Sequence, residues 1–258
     1  MDYTNKSIEK AACILDLFAA DTPRLSATEI ARRLGTKASI IYPILRTLQT
    51  SAYLMRDEDK KYSLGFKFLE RANLVLQRLD LHTVAQKYLK KLANTCSVNA
   101  HLGILYGYKV LYLHREVGSS NVFIREIVGL SEPAYCTALG KTLLASLPED
   151  EQESYLTRES LVPFTPHTIT SPDALRVELG RIRRDGFAVS NEEAHEGVVG
   201  VAAPVTDFRG RVRAAISISI PRSRWHNEEA ELIGTVKETA SLLSRDLGAS
   251  KKDEAFRA

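Results

Sequence analysis

Apolar residues recur at helical spacing through the first fifty positions. Ile8, Ala12, Leu15 and Ala19, flanked by Ala11, Ile14 and Phe18, predict a first helix that stops before Asp21-Thr22-Pro23. Ser26-Ala27-Thr28-Glu29 is a capping box, in which a hydroxyl and a carboxylate each satisfy an orphan N–H at a helix start. A second helix therefore begins near Ser26, and Gly35 cuts it short. Ile41, Ile44, Leu45 and Leu48 then lay a new stripe at i, i+3, i+4 and i+7. Two short helices joined at a glycine predict a helix-turn-helix. Tyr53-Leu54-Met55-Arg56 and Lys61-Tyr62-Ser63-Leu64 bracket the polar turn Asp57-Glu58-Asp59-Lys60, so a hairpin follows as a wing.

Helical patterns fill 66–79 and 81–95, after which the period changes to that of strands over 100–106, 109–115 and about 122–127. Pro133 ends that sheet segment. Residues 137–147 and 149–157 read as helices, and a third opens at Pro172 and runs to about Arg184, before Gly186. Strands return at 187–189, 198–205 and 211–220, with Asp207-Phe208-Arg209-Gly210 as a hairpin turn, and a last helix spans about 227–247. An antiparallel sheet with helices beside it predicts an α+β domain of the kind that encloses a small ligand. No internal repeat or low-complexity tract is present, and the tail from 250 to 258 is expected to fray.

Charge changes this picture. The 258 residues carry a formal net charge of only +3. Residues 1–79, however, hold 13 Lys and Arg against 9 Asp and Glu, and the remainder hold 22 against 23. A small basic module joined to a larger, nearly neutral one points to nucleic acid for the first part. The third stripe turns Ser39, Tyr42, Pro43 and Arg46 to the opposite side, with Ile40 on the flank, and this face suits a major groove. Lys60 and Lys61 on the wing are placed for phosphate or minor groove, where cations bind but read little sequence. Pro43 opposes the reading, since an interior proline costs about 3 kcal/mol. The cost shrinks if Ser39 is the N-cap.

The chain lacks the roughly 18 to 20 consecutive apolar residues of a membrane span and a signal-peptide core, so a cytoplasmic location is expected. Cys13, Cys96 and Cys136 form an odd count without a CxxC pair and read as packing residues. No metal or other cofactor is called for. Ser217 and Ser219, two apart in a strand, point their hydroxyls to one face and the neighbouring isoleucines to the other. Spacing alone favours a solvated outer face for them. Amides that follow Thr137, at Ala138, Leu139 and Gly140, would form a helix start suited to an anion, although an ordinary N-cap is the simpler reading.

The ordered set SATEIARRLG, RTL, YL, CTALGKTLLA, HTIT, RRDGFAVSNEE, GVAAPV and AAISIS resembles the isocitrate-lyase-regulator (IclR) family of bacterial transcription factors, from about residue 5 to 247. The resemblance implies a winged helix-turn-helix over 1–65, a linker helix over 66–80, a GAF-like effector-binding domain over 81–248 and a flexible tail over 249–258. It implies a regulator, more readily a repressor than an activator, that binds double-stranded, approximately palindromic operator DNA as a homodimer or dimer of dimers, without contact with a membrane. Arg32, Arg33, Lys37, Ser39, Ile40, Tyr42, Arg46, Lys60 and Lys61 are the expected DNA contacts. A small organic acid is the expected effector, held by Ser217, Ser219, Ala138, Leu139, Ser190 or Asn191, Gly200 and an apolar wall at Ile124. Some relatives place an acidic residue where Ser190 stands, which leaves the effector open among keto, aromatic and sugar acids.

Two rival classes remain at this level. His101, His114, His195 and Cys136 would have to converge to make a metal-dependent or cysteine-dependent enzyme, but no ligand spacing such as HxxxH joins them. A ligand-sensing module without DNA readout is the other, and Pro43 keeps it open.

Overall fold

The computed structural model describes residues 5–19, 21–71, 80–119 and 128–249. The chain divides into two compact units, Met1–Leu79 and Asp80–Ala258.

The first unit contains α1 (Lys6–Leu15), β1 (Leu25–Ser26), α2 (Ala27–Arg33), α3 (Ala38–Thr50), β2 (Leu54–Arg56) and β3 (Lys61–Leu64). The Asn5 side chain caps α1 by accepting from the Ser7 amide at 3.0 Å. The helix ends before Ala19, and the expected stripe is rotated. Ile14 is fully buried with Leu15 and Phe18 packed around it, whereas Ile8 is 69% exposed and Cys13 is exposed rather than a packing residue. The capping box forms as read: the Ser26 hydroxyl accepts from the Glu29 amide, and the Glu29 carboxylate accepts from the Ser26 amide at 2.8 Å. Those bonds hold the Glu29 carboxyl below its ordinary pKa. Gly35 takes φ +60°, which only a residue without Cβ adopts cheaply, and so turns the chain into α3.

The N-cap of α3 is Lys37, not Ser39. Pro43 therefore lies in the second turn, and its missing N–H removes the intrahelical partner of the Ser39 carbonyl. The helix continues, with the Thr47 hydroxyl donating to the Pro43 carbonyl at 3.0 Å. β1 adds an unexpected third strand to the wing, in the order β1-β3-β2, with Leu25 opposite Tyr62 and Leu54 opposite Leu64. Ile14, Leu25, Ile30, Ile41, Leu45, Leu54 and Tyr62 close one small core. At about 1.5–3 kcal/mol for each large side chain fully buried, that cluster is what the unit folds around. Residues 67–71 begin the helix expected at 66–79, and 72–79 lie outside the described residues.

The second unit runs α4 (Asp80–Cys96), β4 (Asn99–Tyr106), β5 (Lys109–Glu116), β6 (Ser131–Pro133), a 3-10 turn (Ala134–Cys136), α5 (Ala138–Ala145), α6 (Glu149–Arg158), α7 (Pro172–Asp185), β7 (Ala188–Asn191), β8 (Val198–Thr206), β9 (Val212–Pro221) and α8 (Arg222–Asp246). Its sheet is antiparallel in the order β6-β5-β4-β9-β8-β7. β6 and the 3-10 turn were not anticipated, and α8 starts five residues before the expected Asn227. The strand expected near 122–127 and the tail from 250 lie outside the described residues. Alternation on β9 sends Ala215, Ser217 and Ser219 toward the side of α5 and leaves Ile216, Ile218 and Ile220 on the other. Both sides are covered, so the serines are 5% exposed rather than solvated. Among the described residues, no helix is long and apolar enough to cross a membrane.

Candidate functional site

In the first unit, Ser39, Ile40, Tyr42 and Arg46 share the exposed side of α3, with Ile40 44% and Tyr42 50% exposed. Arg32 and Arg33 are exposed in the last turn of α2, Lys37 is exposed at the start of α3, and Lys60 and Lys61 are exposed on the wing. The acidic wing residue Asp57 does not oppose them freely. Its carboxylate accepts from the Lys61 amide at 2.9 Å and pairs with Arg24 at 3.4 Å, and these contacts hold its pKa below the ordinary value. The arrangement is a helix with an apolar and hydroxyl-bearing face, edged by cations on two sides. Those are the parts of a helix that enters a major groove between phosphates.

In the second unit, a cavity of about 40 Å³ lies where the start of α5 faces β7, β8 and β9, lined among others by Tyr112, Glu132, Thr137, Ala138, Leu139, Ser190, His195, Gly200, Ser217 and Ser219. The Thr137 hydroxyl caps α5 by accepting from the Gly140 amide at 3.0 Å. The amides of Ala138 and Leu139, in the same first turn, have no intrahelical acceptor and carry the positive end of the helix dipole. Across the register Ser219 stands opposite Gly200, and Ser217 opposite Ala202. Ser217, only 5% exposed, lines the cavity. A Cβ on Gly200 would come within 3.2 Å of the Ala138 Cβ and 3.7 Å of the Ser190 Cβ, so the missing side chain keeps this space open.

Ser190 and Asn191 separate on β7. Ser190 is buried at the cavity and donates to the Cys136 carbonyl at 2.7 Å, so toward a ligand its oxygen is an acceptor. Asn191 is exposed and does not line the cavity. Ile124 lies outside the described residues.

Sequence reasoning missed Lys141, although it sits inside CTALGKTLLA on a helix otherwise almost wholly apolar. Its ammonium is buried and donates to Glu193 at 2.6 Å, Glu178 at 3.2 Å and the Val189 carbonyl at 2.7 Å. Burial holds the Glu193 carboxyl above its ordinary pKa, against the pull of Lys141. The same loop is clasped from outside: the Thr165 hydroxyl donates to the Glu192 carbonyl and the Thr168 hydroxyl to that of Glu193, each at 2.6 Å. Thr168 belongs to HTIT, which explains why that string accompanies SNEE. Glu192 adopts φ +61° and binds the Gly197 amide and Arg222, each at 2.9 Å.

The candidate catalytic residues do not converge. His101 is buried edge-on to Tyr112, His114 bonds His82 and Glu116, and His195 faces Glu132. Burial pushes the Cys136 thiol up to about 12, the reverse of what a nucleophile needs.

A winged helix-turn-helix unit and a separate unit with a polar cavity define the class of DNA-binding transcriptional regulators that carry an effector domain. Comparison with known proteins narrows this class. The description "IclR helix-turn-helix domain" matches residues 7–58, and "Bacterial transcriptional regulator IclR C-terminal" matches residues 73–245. The chain is 35% identical to the HTH-type transcriptional regulator XynR of Escherichia coli, across 94% of this chain and 97% of that protein. Among solved structures it is similar to the Thermotoga maritima IclR, with 32% identity, a TM-score of 0.75 and coverage of 94% and 99%. It is also similar to an IclR homologue from Microbacterium hydrocarbonoxydans complexed with 4-hydroxybenzoate, with 25% identity, a TM-score of 0.85 and coverage of 95% and 100%. The chain belongs to the IclR family: it is a transcriptional regulator with a DNA-binding helix-turn-helix and a C-terminal effector domain, and not an enzyme.

Proposed function

We propose that α3 and the wing read an operator while a small organic acid in the cavity at the start of α5 sets the affinity of that reading. Arg46, Tyr42, Ser39 and Ile40 contact base edges or nearby phosphates, and Arg32, Arg33, Lys37, Lys60 and Lys61 supply sequence-independent attraction. One winged unit offers few base contacts, so two copies bind an approximately palindromic site, as a homodimer or a dimer of dimers.

The observation that carries the effector reading is that Ser217 and the first turn of α5 line one small cavity together. A carboxylate in so confined a space needs several donors, and the Ser217 hydroxyl with the Ala138 and Leu139 amides can supply them. Ser219 stands on the same face, Ser190 and Gly200 shape the wall, and the acid 4-hydroxybenzoate bound to the Microbacterium homologue supports an acid ligand here. Coupling between the sites of about 1–3 kcal/mol is expected. The test is a titration of the protein–operator complex with a panel of organic acids. Replacing Ser217 and Ser219 together with Ala abolishes the response while binding to the operator in the absence of acid stays intact; an unchanged titration in that variant refutes the placement.

A further inference from the structure

We infer that Asp57 is a positioning residue for DNA binding: its carboxylate builds the wing turn that presents Lys60 and Lys61 to a phosphate backbone. The inference rests on the reading above that these two lysines face phosphate. Charge alone would give the opposite role, because a carboxylate on a DNA-facing wing repels phosphate and its removal should tighten binding. The geometry around Asp57 decides against that.

The wing turn closes on Asp57 three times. The Asp57 amide donates to the Lys61 carbonyl at 2.9 Å, and the Asp57 carbonyl accepts from the Lys60 amide at 3.1 Å. With its carbonyl so used, the carboxylate Oδ1 becomes the acceptor for the Lys61 amide, at 2.9 Å. Lys60 lies between them with φ +61°, a left-handed conformation that Gly or Asn fills at less cost than a lysine. A cation kept at such a position, exposed and next to a second exposed cation, is held for its charge and not for its backbone.

Two arginines brace the same turn. Arg56 donates from Nε to the Lys60 carbonyl at 3.4 Å and lies over the buried Tyr62 ring, 5.4 Å from its centroid. Arg24 stands 33 residues before Asp57, yet the pairing of β1 with β3 brings its Nη1 to 3.4 Å from the carboxylate Oδ2. The two oxygens of Asp57 are thus divided: Oδ1 shapes the turn, and Oδ2 meets a cation. A carboxylate paired in this way orders the wing while bringing less negative charge to it.

Binding of the full chain to a mixed-sequence DNA duplex over a series of salt concentrations tests this, because lysine contacts to phosphate do not depend on sequence. Asp57→Ala is expected to weaken binding about threefold or more and to lower the slope of log affinity against log salt by about 1, although it removes a negative charge. Asp57→Asn keeps an oxygen for the Lys61 amide and drops the charge, and is expected to recover the loss. In a protein that already carries Lys60→Ala and Lys61→Ala, Asp57→Ala is expected to cause no further weakening, since nothing is left to position. A general loss of fold would instead weaken both backgrounds alike. Tighter binding by Asp57→Ala, an Asn variant as weak as the Ala variant, or equal weakening with and without the lysines overturns the proposal. If the lysine changes lower affinity and salt slope but Asp57→Ala leaves both unchanged, the Asp57 assignment alone fails. If the lysine changes themselves leave both unchanged, the phosphate reading of the wing fails with it.

Discussion

The Lys141 ammonium and the Glu193 carboxylate lie 2.6 Å apart, and both are buried. This pair ties the helix whose start forms one wall of the cavity to the loop between β7 and β8 that forms another. With Glu178 and the Val189 carbonyl, all three ammonium donors are used. The cavity is thus framed by a charge that has no outlet to water.

Removing one member of a buried pair leaves the other charge uncompensated, at a cost of about 3–5 kcal/mol. Lys141→Met is therefore expected to destabilise the second unit by about that amount, read as a lower midpoint in urea unfolding. The double change Lys141→Met with Glu193→Leu should recover much of the loss. A single variant as stable as the unaltered protein would show that the ammonium is solvated.

Gly200→Val should silence the effector response without weakening operator binding. Its Cβ alone would approach Ala138 to 3.2 Å, and the two further methyl groups project into the small space beside Ser190. Acid titration of the operator complex measures this, and a normal response would mean that the ligand lies elsewhere. Gly140→Ala is harsher, because its Cβ would stand 2.2 Å from the Ala134 carbonyl oxygen, and loss of folded protein is expected.

Pro43→Ala restores the donor that the Ser39 carbonyl lacks and is expected to stabilise α3 by about 1–3 kcal/mol. Hydrogen exchange of the amides in residues 38–50 should slow accordingly. Unchanged exchange would indicate that the proline is already fully compensated.

Arg46→Ala should weaken a selected operator more than random duplex DNA, whereas Lys60→Ala and Lys61→Ala should weaken both alike. Each lysine that neutralises a phosphate should also lower the slope of log affinity against log salt by about 1. Binding isotherms over a salt series separate the two roles. Equal losses of operator and random DNA with Arg46→Ala would remove it from base readout.

Much of this architecture was legible in residue order, because local physics decided it. The Ser26–Glu29 box, the Gly35 turn and the Pro172 and Gly186 boundaries of α7 are satisfied within a few residues of sequence. What failed depended on distant partners. The start of α1 presents Ile8 to solvent because burial chose the Ile14 side, and Ser217 and Ser219 are enclosed because α5 returns over their face. Lys141 carried a visible signal, a lone cation in an apolar helix. Its partners 37 and 52 residues away did not.

Among the described residues the sheet has very short outer strands, three residues in β6 and four in β7, and β6 ends in Pro133, which has no N–H to offer. A longer row of unpaired backbone groups at such an edge would be a template for another chain's strand, and short edge strands, one of them ending in proline, offer little of it. The long strands β4, β5, β8 and β9 all lie between those two in the order. Pairing through an open strand edge is thereby disfavoured at β6 and β7, which leaves any contact between copies to helices and side-chain surfaces that can be made selective.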